Sequence, residues 1–458
     1  MAFSILNIAG RSLAAEQLAM EVTGNNMANA TTPGYHREST DLVETPPIPS
    51  PDLSGTLQGQ GVSVDAISRA QSAFLSRSVR TQYGSMGRWK SLNTVLSQIQ
   101  NVFQEPSSSG LQEAMGKFFD AWLTLSQTPN SLSSRQAVLE QGKSLAGTFN
   151  GMSQQLDAAT QNINQSLTTT VSQINTLTGE IARLNTEITA VSSSGSSANA
   201  LLDQRGLYMD QLSQLVNMSY TVNSDQSVNI YLGNNPLVSN NQAYTLSISP
   251  SASTFGTNQV EFGGQPLTGL KNGELSGLLQ GGADIANYLS QLNSLAQSVV
   301  NAVNNQQAQG YQLNSSAHGG PFFASSGISA GTMHVSSALT TQGIAAASQQ
   351  NAPGDGSNAQ AMSDLMQTTH PSLGQYTFGQ YYTNLVGQVG NEGQHAQNLF
   401  NSANQTLQSL SNARQSATGV DINQSSAHLI QEQQSYQAAA QLVAVEQSLM
   451  SSLFQAVG

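Results

Sequence analysis

Gly327-Ile328-Ser329-Ala330-Gly331 fits the G-x-S-x-G pattern of a nucleophile elbow, where a sharp strand-to-helix turn lifts a serine hydroxyl toward a base. A secreted serine esterase would use Ser329 in that way. The elbow needs a strand before the serine and a helix after it, inside alternating β–α units. Here Ser325-Ser326 precede the pattern, a strand is predicted after it over 332–336, and the surrounding glycine and serine make a chance match easy. The histidines at 36, 318, 334, 370, 395 and 428 form no i, i+4 pair and sit in no carboxylate cluster, so they predict no metal centre. No phosphate-binding or dinucleotide-binding glycine loop is present. Asp203 and Arg205 read as a structural ion pair or a helix-start feature. These residues predict no catalytic group, no cofactor and no metal, so function has to be sought in the elements the chain builds.

Composition narrows the partners. Only 9% of the 458 residues are charged, against about a quarter in an ordinary globular protein, and the net charge is −12. That balance argues against nucleic acid, whose phosphates require basic patches, and against an anionic membrane surface. No apolar run approaches the length of a membrane-spanning helix, and the first residues lack the pattern of a cleaved signal peptide. The chain has no cysteine, which excludes disulfides and thiolate chemistry. At this length two to four domains are expected. A surface with few ion pairs to lose also predicts contacts between subunits that tolerate acid and salt.

Helical periodicity dominates. Leu6, Leu13, Met20 and Met27 recur every seven residues, with Phe3 on the same side, and Ile422, Leu429, Tyr436, Val443, Met450 and Val457 do the same at the other end. Ala439, Ala440, Leu442, Leu449, Leu453 and Phe454 thicken the second stripe. Each stripe is too narrow to bury itself, so the two ends are expected to pair as coaxial coiled-coil helices. The first helix should fail near Gly24-Asn25-Asn26, and Pro33-Gly34 suit the centre of a type II turn. Residues 36–68 read as extended, with Pro46, Pro47, Pro49 and Pro51 forbidding helix. Long helices follow over 69–103, 111–126, 131–191, 201–216, 274–309 and 378–413; the third would reach roughly 90 Å at 1.5 Å per residue. Gly387, Gly390 and Gly393 in the last of these predict a bend or a close helix contact. Between 220 and 262 the period changes to two, a small antiparallel β module. Short helices are expected at 342–348 and 359–367. The fold class is mainly α with a smaller β module. Its expected plan is nested: 1–45 with 415–458 as the terminal pair, 46–217 with 274–310 and 371–414 as a long-helix bundle, and 218–273 with 311–370 as an inserted β-rich module.

Specific residues at both ends carry a resemblance. Asn25-Asn26-Met27-Ala28-Asn29 followed by Thr32-Pro33-Gly34-Tyr35 resembles the N-terminal signature of bacterial flagellar rod, hook and hook-associated proteins. Gly419-Val420-Asp421, Leu429-Ile430-Gln431 and Tyr436-Gln437-Ala438-Ala439-Ala440 resemble their C-terminal signature. The long helices, Leu201-Leu202-Asp203-Gln204-Arg205 and Pro321-Phe322-Phe323 are similar to the first hook–filament junction family. The middle is shorter than is common there, as if one outer domain were reduced or missing.

The resemblance implies a structural adapter that assembles with copies of itself at the distal end of the hook and connects it to the second junction protein. Hook protein and an export chaperone binding near the C-terminus are further implied partners; nucleic acid and membrane are not. It implies an extracellular place in the flagellum, reached through the organelle's own channel without a cleaved signal. The assembly residues it points to are Asn26, Asn29, Thr32, Pro33, Gly34 and Tyr35, together with Leu6, Leu13, Met20, Met27, Ile422, Leu429, Tyr436, Val443, Met450 and Phe454 of the two stripes. A hook or distal-rod protein shares both signatures and is the alternative within the same class.

Overall fold

The computed structural model describes residues 2–49, 57–250 and 256–457, with side chains placed from residue 5 to residue 456 within these segments. Pro51 and the side chains of Phe3 and Val457 lie outside the described set. In chain order the elements are α1 (Ala2–Ala28), β1 (Glu38–Glu44), β2 (Ile48–Pro49), β3 (Leu57–Gln58), β4 (Val62–Arg69), α2 (Ala73–Val102), α3 (Leu111–Gln127), α4 (Leu132–Ser193) and α5 (Asn199–Leu215). Then come β5 (Ser219–Val222), β6 (Val228–Leu232), β7 (Asn235–Ser239), β8 (Gln242–Ala243), β9 (Leu246–Ser249), β10 (Gln259–Phe262) and β11 (Gln265–Pro266). The chain ends with α6 (Glu274–Gln309), α7 (Ser357–Asp364), α8 (Phe378–Thr418) and α9 (Ile422–Val457). The fold is mainly α with a smaller β part. Two compact units emerge: Met1–Met86, Gln173–Thr245 and Ala403–Gly458 form the first, and Gly87–Ser172 with Leu246–Ser402 the second.

In the first unit α1 packs against α9. The pair is antiparallel: Leu6 shares a groove with Met450 and Phe454, while Thr23 Oγ1 donates to Glu432 Oε1 at 2.9 Å. Contrary to the expected failure near Gly24, α1 continues to Ala28. Tertiary hydrogen bonds override weak propensity here, because buried Asn26 accepts the Glu38 N–H at 2.8 Å and donates to the Glu38 carbonyl at 2.7 Å. The extended stretch after α1 folds back on itself as an antiparallel β1–β4 ladder from Glu38↔Arg69 to Glu44↔Val62, with an irregularity between Asp41 and Leu42. A four-stranded sheet in the order β5-β6-β7-β8 completes this unit.

The second unit is held by an aromatic core. Phe118, Phe119 and Trp122 of α3 meet Phe322 and Phe323, with ring centroids 5.4 Å apart for Phe118–Phe322 and 5.7 Å for Trp122–Phe322. Phe119 stacks on Phe378 of α8 at 5.9 Å. Each fully buried ring contributes on the order of 2–3 kcal/mol. The strands β9, β10 and β11 pair antiparallel in this unit.

The apolar stripe of α4 is buried as its spacing predicts from Leu145 to Ile174 and again at Ile181, Leu184 and Ile188; between them Thr178 is buried and Leu177 only half so. Two sequence expectations between 311 and 371 are overturned. Residues 342–348 are not helical: a turn at 342–343 leads into irregular chain, buried from Gly343 to Ala347, whose peptide groups are satisfied by side chains one by one. Arg135 Nη1 donates to the Ile344 carbonyl at 2.5 Å, Gln307 Nε2 to that of Gly343 at 3.0 Å, and Asn358 Nδ2 to that of Ala345 at 2.6 Å. The stretch 332–336 makes only a single bridge, Val335 to Phe323, and no strand. Its ladder stops where the Met333 N–H turns back to the Ser329 carbonyl at 3.0 Å. Of the glycines read as a bend or close contact, Gly393 meets the Gln100 side chain, while Gly387 and Gly390 have no neighbour within 4 Å.

Candidate assembly interface

The seam between α1 and α9 is built from small residues. On α1 the buried positions include Ala9, Ala15, Ala19, Val22 and Thr23; on α9 they are Ser425, Ala439 and Glu446. Side chains this short let helix backbones approach closely. The sevenfold stripes read from the sequence run beside this line. Leu6, Leu13, Met20 and Met27 are half-buried, as are Leu429, Val443 and Met450, whereas Ile422, Tyr436 and Phe454 are exposed. Of the residues expected to thicken the second stripe only Ala439 is buried, and on α1 the centre belongs to Ala9, Ala15 and Ala19.

The larger apolar residues of α9 point away from the pair. Leu442, Val445, Leu449 and Leu453 recur by three, four and four, and with Phe454 they are 52 to 70% exposed. Ile430 is exposed as well, as are Leu42, Val43, Ile48 and Leu57 of the strands and Phe74 at the start of α2. A continuous exposed apolar stripe of this kind is a candidate contact surface.

The turn after α1 is tightly specified. Gly34 has φ +82° and the Tyr35 N–H donates to the Thr32 carbonyl at 3.2 Å, the geometry of a type II turn around Pro33-Gly34. Asn29 Oδ1 accepts from the Thr32 hydroxyl at 3.1 Å, and Tyr35 Oη donates to Asn26 Oδ1 at 2.9 Å. Burial, reinforced by Glu38 and then Asp203, pushes the Tyr35 phenol up to about 12, so it stays a donor throughout the neutral range. A Cβ at Gly34 would meet Leu207 Cβ at 3.3 Å in a backbone region that L-residues avoid. Gly34→Ala is therefore expected to cost the first unit about 1–2 kcal/mol, measurable as a lowered urea midpoint.

What anchors this turn is a charge network that the sequence reading missed. Asp203 of α5 does not pair with Arg205. Its Oδ2 accepts the His36 N–H at 3.0 Å, and its Oδ1 lies 2.7 Å from His36 Nδ1 and accepts from Arg69 Nε at the end of β4. One heptad further along α5, Asp210 accepts from Arg80 Nε of α2 at 2.8 Å and Arg414 Nη1 of α8 at 2.6 Å. Two carboxylates on one helix thus fix the turn, a strand and two other helices. The seven-residue interval between Asp203 and Asp210 was the available signal, sharpened by the rarity of charge in this chain.

Carboxylates also enter the terminal seam. Burial, aided by Glu432, raises the Glu16 carboxyl above its ordinary range. Oε1 of Glu432 accepts from Thr23, and its Oε2 is buried with no hydrogen-bond partner among the described residues; Arg37, Glu38 and His428 line the same cleft. A raised carboxyl favours the folded pair fully below the ordinary glutamate value, and that contribution is lost as pH rises through the raised one. Protease resistance of the two ends should therefore increase on going from pH 7 toward pH 5, and Glu16→Gln should flatten the dependence.

The Ser329 motif does not form an elbow. Its hydroxyl lies 2.8 Å from that of Thr332, and its N–H donates to the same Thr332 oxygen at 3.0 Å. Asn293 and Asn150 then fasten the adjacent Ala330 N–H and carbonyl, each at 2.7 Å, so the loop is docked as a structural turn.

Comparison with known proteins supplies the family. Residues 96–323 match the model described as flagellar hook-associated protein FlgK helical domain, and residues 6–36 match that of the flagella basal body rod protein. The chain belongs to the flagellar hook-associated protein family. It is 28% identical to flagellar hook-associated protein 1 of Bacillus subtilis (strain 168), over all of this chain and 98% of that protein. The protein of the same name from Salmonella typhimurium (strain LT2) is 29% identical over 67% of this chain, and the match spans only 57% of that relative. The fold is similar to the flagellar hook junction protein FlgK from Burkholderia pseudomallei, with TM-score 0.65 and 18% identity over 74% of this chain and 99% of that one.

Proposed function

We propose that this chain is a structural adapter of the bacterial flagellum. It assembles with copies of itself at the distal end of the hook and joins hook to filament through the second junction protein. The observation that carries the reading is the α1–α9 pair with its outward stripe of Leu442, Val445, Leu449 and Leu453, which nothing in the chain covers among the described residues. Paired ends would line an inner tube, with 1–45 and 415–458 as the tube-forming part. Thr32 and Pro33, exposed on the type II turn, sit where the chain leaves that pair. Hook protein on one side and the second junction protein on the other are its neighbours in this reading. An export chaperone covers the C-terminal stripe before the chain leaves the cell through the flagellar channel.

Complementation tests this. In a motile bacterium lacking its own first junction protein, expression of this chain should restore filaments to bare hooks. Export of the chain to the medium with hooks still bare would contradict the adapter role.

A further inference from the structure

In a chain with only 14 lysines and arginines, four guanidiniums gather in one cleft of the first unit. Arg69, Arg80, Arg205 and Arg414 line this cleft of about 510 Å³ together with the Asp210 carboxylate, and Asp203 holds Arg69 and His36 from outside the lining. Each carboxylate is already engaged twice, Asp203 by Arg69 and His36 and Asp210 by Arg80 and Arg414. Arg205 has neutral partners instead. It is 5% exposed, and its Nη1 donates to Asn185 Oδ1 at 3.0 Å and to the Gln226 carbonyl at 2.6 Å. Burial, and after it the proximity of Arg80 and Arg69, pulls the Arg205 guanidinium down to about 10. Asp225 attracts Arg205 through space but accepts from Ser227 rather than from the guanidinium. A buried guanidinium with no bonded carboxylate is costly, and a bidentate-capable oxyanion relieves it.

The position of the vacancy is specific. Gly206 lies in the middle of α5, where glycine costs about 1 kcal/mol relative to alanine. A Cβ built there would meet only Arg69 Nη2 and Arg80 Nη2, each at 3.9 Å. Two guanidinium tips therefore flank a spot left empty by the missing side chain. We propose that the cleft over Gly206 is an oxyanion site, taking a phosphate-type or carboxylate group between Arg69, Arg80 and Arg205. The group comes either from a free anion or from an acidic side chain of a second copy. This inference stands on the first unit alone and does not rest on the adapter reading.

Substitution at Gly206 separates the outcomes. Gly206→Glu places a tethered carboxylate in the site, while Gly206→Ala changes helix propensity and leaves the space open. Full-length monomer is melted in sodium phosphate and in sodium chloride at matched ionic strength. A general salting effect of phosphate would raise all three proteins alike. With a free anion as occupant, the wild type and Gly206→Ala should gain a saturable shift about 2–4 °C larger than Gly206→Glu. With a second copy as occupant, sedimentation shows self-association of wild type and Gly206→Ala that Gly206→Glu loses, whatever the phosphate shift. If Gly206→Glu does not fold, phosphorus NMR on the wild type decides the free-anion case by line broadening that sulfate reverses, and loss of self-association on adding sulfate at constant ionic strength decides the second. Equal phosphate response with self-association indifferent to position 206, or neither sulfate effect on the wild type, overturns the proposal.

Discussion

Replacing Leu449, Leu453 and Phe454 together with serine is expected to abolish assembly while leaving the monomer intact. These side chains are 59, 62 and 70% exposed, so the isolated chain gains little from them. Its melting temperature should move by no more than about 1 °C, as for ordinary surface substitutions. In the assembled state each would be covered by a neighbour and worth about 1–2 kcal/mol. Together the three account for at least a hundredfold rise in critical concentration, with about 1.4 kcal/mol to each factor of ten. Sedimentation of assembled from free protein reads the first quantity and a thermal melt the second. A matched triple substitution on the solvent face of α4 should leave both unchanged.

The second large effect falls on the charge network. Asp210→Ala removes the shared partner of Arg80 and Arg414 in a cleft where the three side chains are 12 to 20% exposed. Stranding two guanidiniums there should cost about 3–5 kcal/mol, the range for breaking a buried pair from one side. Equilibrium unfolding in urea would show it as a lower midpoint for the first unit, and amide exchange should rise along α5. Glu180→Ala is the control. It breaks a pair with Arg183 in which both side chains are more than 40% exposed, and should cost less than about 1 kcal/mol.

Much of the fold was legible because period alone decides it. The limits of α6 follow from apolar residues alternating by three and four until Gln309, and α3 shows the same pattern in Met115, Phe118, Phe119 and Trp122. Residues 342–348 were misread because Ile344 and the three alanines after it suit a helix locally. The side chains that hold them out of a helix come from outside the stretch, from Arg135, Gln307 and Asn358. Period also misplaced the terminal seam. A stripe of large apolar residues marks where burial is possible, and α9 uses alanine, serine and glutamate for its inner line instead. Pairing of Asp203 with Arg69 and His36 was invisible for the same physical reason: the partners are 134 and 167 residues away. The turn Thr32-Pro33-Gly34-Tyr35 needed no distant information, since proline and glycine fix their own dihedral angles.

Hydrogen–deuterium exchange along α9 tests the central claim most directly, by comparing free monomer with protein assembled on isolated hooks. The outward stripe from Leu442 to Phe454 should exchange quickly in the monomer and become strongly protected on assembly, with α1 gaining protection in parallel. Unchanged exchange across α1 and α9, with protection appearing elsewhere in the chain, would contradict the terminal pair as the assembling surface.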